Sequence, residues 1–163
     1  MLERECTLYA FTLRYCRLLI DDVPDVELAD QPIEGVTHPA WILGHLTVAS
    51  SFAVTLLGGT HGYPPSWHQL FWPSSSVLAD RRIYPSKVEL LAAVEAGYHR
   101  TVEAARRATP DLLSRPQPGP FYLEDFPTVG DLVAHLMTTH PSLHLGQLAS
   151  WRRMKGLPSA LGI

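Results

Sequence analysis

The stretch "THPAWILGHLTVASSFAVTLLGG", residues 37–59, runs from a helix-start signal to a helix-stop signal. Thr37 can cap a helix, and a proline in the first turn, here Pro39, is tolerated because its missing N–H has no partner there in any case. The apolar run that begins at Trp41 ends at a pair of glycines. This pattern predicts a largely buried helix with one histidine, His45, in its middle.

Three further segments carry helical patterns. The third predicted helix begins at a capping box formed by Ser86 and Glu89, and the fourth begins with the same spacing at Thr128 and Asp131 and continues to about Lys155. The first predicted helix has apolar residues at steps of three and four, the stripe of an amphipathic helix: Leu2, Cys6, Tyr9, Leu13, Cys16 and Ile20.

The stretch between the second and third predicted helices, residues 58–85, is rich in proline and serine and shows no sustained period. We expect an irregular connection there, so long that the helices it joins need not be antiparallel neighbours. Four helices without a convincing strand pattern predict an all-α fold, a four-helix bundle. We expect a single domain over residues 1–163.

Composition narrows the classes of function. The chain has 163 residues, of which 46% are hydrophobic and 18% charged, as in one ordinary globular domain. A net charge of −3 gives no electrostatic basis for binding nucleic acid. The N-terminus lacks a signal-peptide pattern, and the sequence favours neither a membrane partner nor a membrane span. We therefore expect a cytoplasmic protein, with Cys6 and Cys16 as buried thiols too far apart on one helix to bridge.

Two histidines lie one helical turn apart in "HPSLHLGQLASWRR", residues 140–153. His140 and His144 project from the same helix face, and Gln147 lies on that face one turn later. A pair with this spacing is expected by chance about 0.4 times in a chain with this many histidines, so they could also be flank residues of a core helix. His135 is half a turn away from His144, and we expect it to point elsewhere as a structural or surface histidine.

Pro141 lies between these two histidines. Inside a continuous helix it would remove a hydrogen bond and clash with the preceding turn, at a cost of about 3 kcal/mol. Either the helix is kinked at this point, or a new helix begins there. The sequence supports both alternatives equally.

Two imidazoles on one face form half of a metal site, because an open zinc site usually has three protein ligands. His45 is the best third candidate, since an unpaired imidazole in an apolar helix is costly to bury. The alternative is a core histidine satisfied by one hydrogen bond. Of its neighbours, we expect His38 to be a helix-start residue and Trp41 to be part of the core.

The segments "THPAWILGHL" (37–46) and "THPSLHLGQLASWRRMKGLP" (139–158) resemble the two signature regions of the DinB-like superfamily, also described as DinB/YfiT-like metalloenzymes. The resemblance is to the branch with H-x-x-x-H-x-G-Q on the last helix. It implies a four-helix bundle with a long crossover between the second and third helices, commonly a homodimer, with a divalent metal on His45, His140 and His144.

The resemblance also assigns roles around these ligands. It implies close packing at Gly146 and a hydrogen bond from Gln147 to a metal ligand. At Leu145 many relatives carry arginine, so an anion-binding role at this position is in doubt.

Three neutral imidazoles suit zinc or nickel best, with iron as a third candidate. No acidic residue stands out as a general base, since Asp131 is explained as a helix cap. The resemblance implies a metal-dependent enzyme acting on a small molecule, either a thiol-dependent S-transferase, with a low-molecular-weight thiol as partner, or a hydrolase. The alternative is a non-catalytic bundle with a structural metal or a ligand-binding pocket.

Overall fold

The computed structural model describes residues 2–119 and 121–162. Two short 3₁₀ helices lie in the connections, and these described ranges contain no strand. The predicted all-α fold is confirmed. In chain order the α-helices are α1 (Glu3–Ile20), α2 (Pro39–Leu56), α3 (Pro65–Phe71), α4 (Lys87–Arg107), α5 (Pro110–Ser114), α6 (Val129–Met137) and α7 (Thr139–Met154).

Helices α1, α2 and α4 form a four-helix bundle with the α6–α7 pair. Both α1 and α2 pack against α4 and against α6 and α7. One apolar cluster joins the C-terminal half of α1 to the N-terminal halves of α2 and α4, and a second cluster joins the opposite halves. Helices α2 and α4 therefore run parallel and α1 runs antiparallel to both. The chain between α2 and α4 must return along the bundle, which is the long crossover that the resemblance implies.

Helix α2 is the most enclosed part of the bundle. By length and composition α2 could cross a membrane. However, 83% of its 18 residues are buried inside the structure, so its apolar surface packs within the core of the bundle. Gly97 of α4 lets the two helices approach closely, since a Cβ there would lie 2.2 Å from the Ser50 hydroxyl oxygen. The Thr101 hydroxyl then donates a hydrogen bond to the Ser50 carbonyl at 3.1 Å.

The N-cap of α2 is His38 and not Thr37 as predicted. Because residue 39 is a proline, the residue before it is held in an extended conformation, and this residue takes the capping position. Nδ1 of His38 accepts a hydrogen bond from Trp41 N at 3.3 Å, and Nε2 donates to Leu78 O at 2.9 Å. The ring is fully buried. The interpretation of His38 as a helix-start residue is confirmed.

The crossover is more ordered than the sequence predicted. It contains α3, a helix of only 7 residues, whose Trp67 and Phe71 are buried in the core. Pro64 is the N-cap and Pro65 the first residue of this helix, where a proline removes no helical hydrogen bond. A helix of two turns is too short to show a sustained period, so the expectation of a wholly irregular connection was wrong.

The predicted fourth helix is two helices. The helix is interrupted at Thr138, whose φ of −127° and ψ of −79° are not helical, and α7 begins at Thr139. Pro141 is the third residue of α7, in a first turn whose N–H groups have no intrahelical acceptor. Ser142 N then makes a hydrogen bond to Thr138 O at 3.2 Å. The new-helix alternative is therefore the observed one, and it begins two residues before Pro141.

The end of α7 is attached to the rest of the bundle by ion pairs. The guanidinium of Arg152 is buried, makes two hydrogen bonds to the Asp22 carboxylate, and donates to Leu19 O at 2.9 Å and Pro158 O at 3.0 Å. Lys155 lies 2.6 Å from an Asp30 carboxylate oxygen. These contacts fix α7 and its histidines against α1 and the segment that follows it.

Hydrogen bonding to Arg152 holds the pKa of the Asp22 carboxyl below its usual value. The stabilisation is therefore present above the unfolded-state pKa of about 4 and is lost as the pH falls through the lower folded-state value. We predict that Asp22→Asn lowers the free energy of unfolding at neutral pH by about 1 kcal/mol, because the carboxylate is half exposed. Urea unfolding of both proteins from pH 7 downwards should show this difference shrinking below about pH 4.

Asp21→Asn is the matched control, because it removes the same charge from an exposed carboxylate at the next position. It should leave stability within about 0.5 kcal/mol of the wild type. An equal loss of stability in the two variants would contradict the role of the Arg152 contact.

Candidate metal centre

His45 lies on α2 and only 4% of it is exposed. Its Nδ1 is 2.8 Å from Phe71 O, the carbonyl of the last residue of α3. A carbonyl oxygen can only accept, so Nδ1 carries the proton and Nε2 keeps its lone pair. Trp41, one turn earlier, stacks on the imidazole with ring centroids 4.6 Å apart and planes 10° apart. These contacts fix the orientation and the tautomer of His45.

His140 and His144 lie on the first two turns of α7 and face His45. The His45 ring centroid is 5.1 Å from that of His140 and 4.6 Å from that of His144. The Nε2 atoms of His45 and His140 are 3.1 Å apart, and one nitrogen from each of the three rings lies within 4.8 Å of the others. The structure thus brings together the three histidines predicted from the sequence.

Gln147 makes the hydrogen bond to one of the three histidines that the resemblance implied. Its side-chain oxygen is 2.9 Å from Nδ1 of His144. Since an amide oxygen accepts, His144 donates from Nδ1 and keeps its Nε2 lone pair, as His45 does. Partners of this kind set the tautomer and ring angle of metal-binding histidines.

Burial keeps the three imidazoles neutral. Burial, and after it the neighbouring imidazoles, lower the pKa of His45 to about 4 and that of His140 to about 2. The pKa of His144 is also lowered by burial. Neutral imidazole is the form that binds metal ions, so no proton has to be removed at neutral pH.

The donor set fits a divalent metal. Tetrahedral zinc accepts imidazole nitrogens as ligands, and one nitrogen from each of the three rings lies within 4.8 Å of the others. Within residues 2–119 and 121–162, no cysteine or carboxylate joins the group. Nδ1 of His140 is buried without a hydrogen-bond partner. The three-histidine cluster could therefore hold a metal ion with a coordination position left for another ligand.

A cavity of about 450 Å³ opens beside the three histidines, and we call it the histidine cavity. Trp41 lines it, so this residue belongs both to the core and to the site. Gln147, Tyr122 and His135 also face the cavity. Most of the remaining wall is apolar and consists of Val48, Ala49, Phe52, Trp72, Pro73, Phe121, Leu132, Leu136 and Leu143.

His135 does not point away from the site as expected. The break at Thr138 changes the helix direction between His135 and His140, so one continuous helical wheel does not apply to both. The ring of His135 stacks on that of Phe126 with centroids 4.4 Å apart, and its centroid is 5.7 Å from that of His140. Its Nδ1 forms a hydrogen bond with the Thr139 hydroxyl at 2.6 Å. Pro141 indicated a break in the helix from the sequence, but the sequence did not indicate that the break lies before this proline.

The resemblance also gave expectations for Gly146 and Leu145, the two residues that precede Gln147. A Cβ on Gly146 would meet no atom within 4 Å, so the expected close packing at this glycine was wrong. Leu145 is buried in the main apolar cluster. A side chain at this position faces the core, which explains an apolar residue there.

These features define an all-α bundle protein with a buried three-histidine cluster at the wall of a cavity. A family model of the DinB superfamily matches residues 9–148. The chain belongs to the DinB superfamily, as its two signature segments predicted. Comparison with curated proteins and with solved structures found no significant match.

We predict that Gln147→Leu lowers the affinity for zinc about tenfold, because His144 loses the acceptor that orients its ring. Gln147→Glu keeps an acceptor at the same position and should retain affinity. Competition against a chromophoric chelator measures both constants. Equal affinities for wild type and Gln147→Leu would show that this hydrogen bond does not orient the ligand.

Gly44→Ala tests the link between packing and site. The added Cβ would lie 2.3 Å from the Phe71 ring, and this ring is fully buried and cannot move freely. We expect a loss of about 1–3 kcal/mol in the free energy of unfolding and a weaker zinc affinity, because Phe71 O holds His45. Gly146→Ala is the control, since its Cβ enters open space and should leave both quantities unchanged or slightly improve stability.

Proposed function

We propose that His45, His140 and His144 hold a divalent metal and that this centre is the active site of an enzyme acting on a small molecule. One observation carries the proposal: three neutral imidazoles converge within 4.8 Å at the wall of a 450 Å³ cavity. Cavities of this size are typical of small-molecule sites. Membership in the DinB superfamily agrees with a metal-dependent protein.

Zinc or nickel is the metal that we propose, with iron as the third candidate. All three bind imidazole nitrogen well, whereas magnesium and calcium prefer oxygen ligands. Bound in this way, the metal would act as a Lewis acid and lower the pKa of a water or thiol that it binds.

The protein's own side chains would then have separate tasks. His45 and His144 present Nε2 because Phe71 O and Gln147 hold their other ring nitrogens. Trp41 packs against His45 and excludes water from one side of it. The apolar wall of the histidine cavity removes the reacting groups from bulk solvent, which strengthens electrostatic interactions inside it.

Of the two reaction classes, we favour a thiol-dependent S-transferase over a hydrolase. The described lining of the histidine cavity contains no carboxylate that could act as a general base for water. A thiol is more acidic than water and needs less assistance to lose its proton.

The alternative is a non-catalytic bundle with a structural metal or a ligand-binding pocket. Structural zinc sites are usually closed by four protein ligands. Three ligands beside an accessible cavity favour the enzyme, because a coordination position remains for a reacting molecule.

The homodimer that the resemblance implies stays a prediction. Leu8, Phe11 and Leu143 are exposed beside one another on α1 and α7, and such apolar area is enriched in homodimer interfaces. The cytoplasmic location and the absence of nucleic-acid and membrane partners also stay predictions.

Metal analysis by plasma mass spectrometry on untagged protein tests the proposal. We expect about one equivalent of zinc, nickel or iron per chain in the wild type, and its loss in His45→Ala, His140→Ala and His144→Ala, because each variant removes one of the three ligands. His135→Ala is the matched control, because His135 lines the same cavity outside the cluster, and it should retain the metal. Wild-type protein that takes up no metal on dialysis would contradict the proposal.

Activity separates the two reaction classes. The metal-loaded protein is assayed for consumption of low-molecular-weight thiols with an aryl chloride, and for hydrolysis of an aryl ester. We expect metal-dependent thiol consumption that His140→Ala abolishes. Ester hydrolysis without thiol consumption would favour the hydrolase, and metal binding with neither activity would favour the structural metal.

A further inference from the structure

We propose that the histidine cavity selects substrates whose body is uncharged and aromatic, with the reacting group at the histidine end. This inference deepens the proposed function, on which the assignment of the reacting end rests. It follows from the chemistry of the cavity wall, which is independent of the metal.

The described lining contains no charged side chain. No lysine, arginine, aspartate or glutamate faces the cavity, and apolar side chains make up most of its wall. A charged group that entered the apolar part would lose its hydration without gaining an ionic partner. The wall therefore discriminates against substrates with a charge on the body.

Three aromatic side chains form the part of the wall that favours rings. The Trp72 ring centroid is 6.4 Å from that of Phe52 and 5.9 Å from that of Phe121, and both pairs are tilted or edge-on. These arrangements suit the packing of a further aromatic ring, which adds about 0.5–1.5 kcal/mol per pair beyond area burial. The three residues come from α2, from the crossover after α3 and from the segment before α6.

The size of the cavity indicates how large a substrate body it can enclose. Ala49 and Leu132 bring short or flexible side chains to the same wall. An apolar cavity of about 150 Å³ accepts a single benzene ring. At about 450 Å³ the histidine cavity has room for two fused rings and a short reacting group.

Four polar side chains of the wall lie together and form its histidine end. His45, His140 and His144 are in mutual ring contact, and Gln147 binds His144. A molecule with an apolar body and one polar group therefore has one favourable orientation, with the polar group towards the histidines. This orientation brings the reacting group to the proposed metal.

Binding of three matched probes to chelator-treated protein tests the proposal without the metal. The probes are 2-naphthalenemethanol, 2-naphthoate and 2-naphthylmethylammonium, which share the ring body and differ in charge. We expect calorimetric or ligand-observed NMR titration at neutral pH to show about tenfold or tighter binding of the alcohol than of either ion. Equal affinities, or tighter binding of an ion, would overturn the proposal.

Two variants locate the bound probe. Ala49→Phe fills the cavity, and Phe121→Ala removes one half-buried ring of its wall without touching a histidine. Each should weaken binding of the alcohol about tenfold or more. Phe11→Ala is the control, because Phe11 is an exposed aromatic residue on α1 outside the cavity, and it should bind the alcohol as the wild type does. Unchanged binding in Phe121→Ala would overturn the proposal even if Ala49→Phe does not fold.

The outcome is separable from that of the proposed function. Protein that binds 2-naphthalenemethanol but no metal supports the uncharged aromatic body and contradicts the metalloenzyme. Protein that binds metal while showing no preference for the alcohol supports the metal centre and overturns the substrate class.

Discussion

The burial of α2 is the constraint on which the rest of the structure depends. A helix that is apolar on nearly every side must be covered on every side, and α4, α3 and the α6–α7 pair provide this cover. Because α2 and α4 run parallel, the chain between them has to cross the bundle, and α3 covers α2 on the way. The glycines Gly44 and Gly97 permit the close approach on two of these sides.

The same enclosure creates the site. An imidazole inside such a helix needs a partner, and Phe71 O at the end of α3 supplies it for one nitrogen of His45. The other nitrogen faces His140 and His144 across a low-dielectric space, where burial keeps all three rings neutral. The packing that stabilises the bundle and the chemistry that suits a metal therefore have one physical origin.

The histidine cavity combines an uncharged polar end with an apolar wall. The ligating end is polar but uncharged, and the wall beyond it is aromatic and aliphatic. Such a cavity suits a molecule with an apolar body and one reactive group, as the proposed function requires. Membership in the DinB superfamily and the group of three histidines together fit a metal-dependent protein.

The sequence by itself determined the helical class and both capping boxes, because these depend on local spacing. It named His45, His140 and His144 as candidates, and the tertiary structure brought them together. Only the tertiary structure decided three features: the helix break at Thr138, the orientation of His135 towards His140, and the helix α3 within the crossover. Those features depend on contacts between residues distant in the chain. A two-turn helix such as α3 is stable only when its buried side chains find their partners on α2.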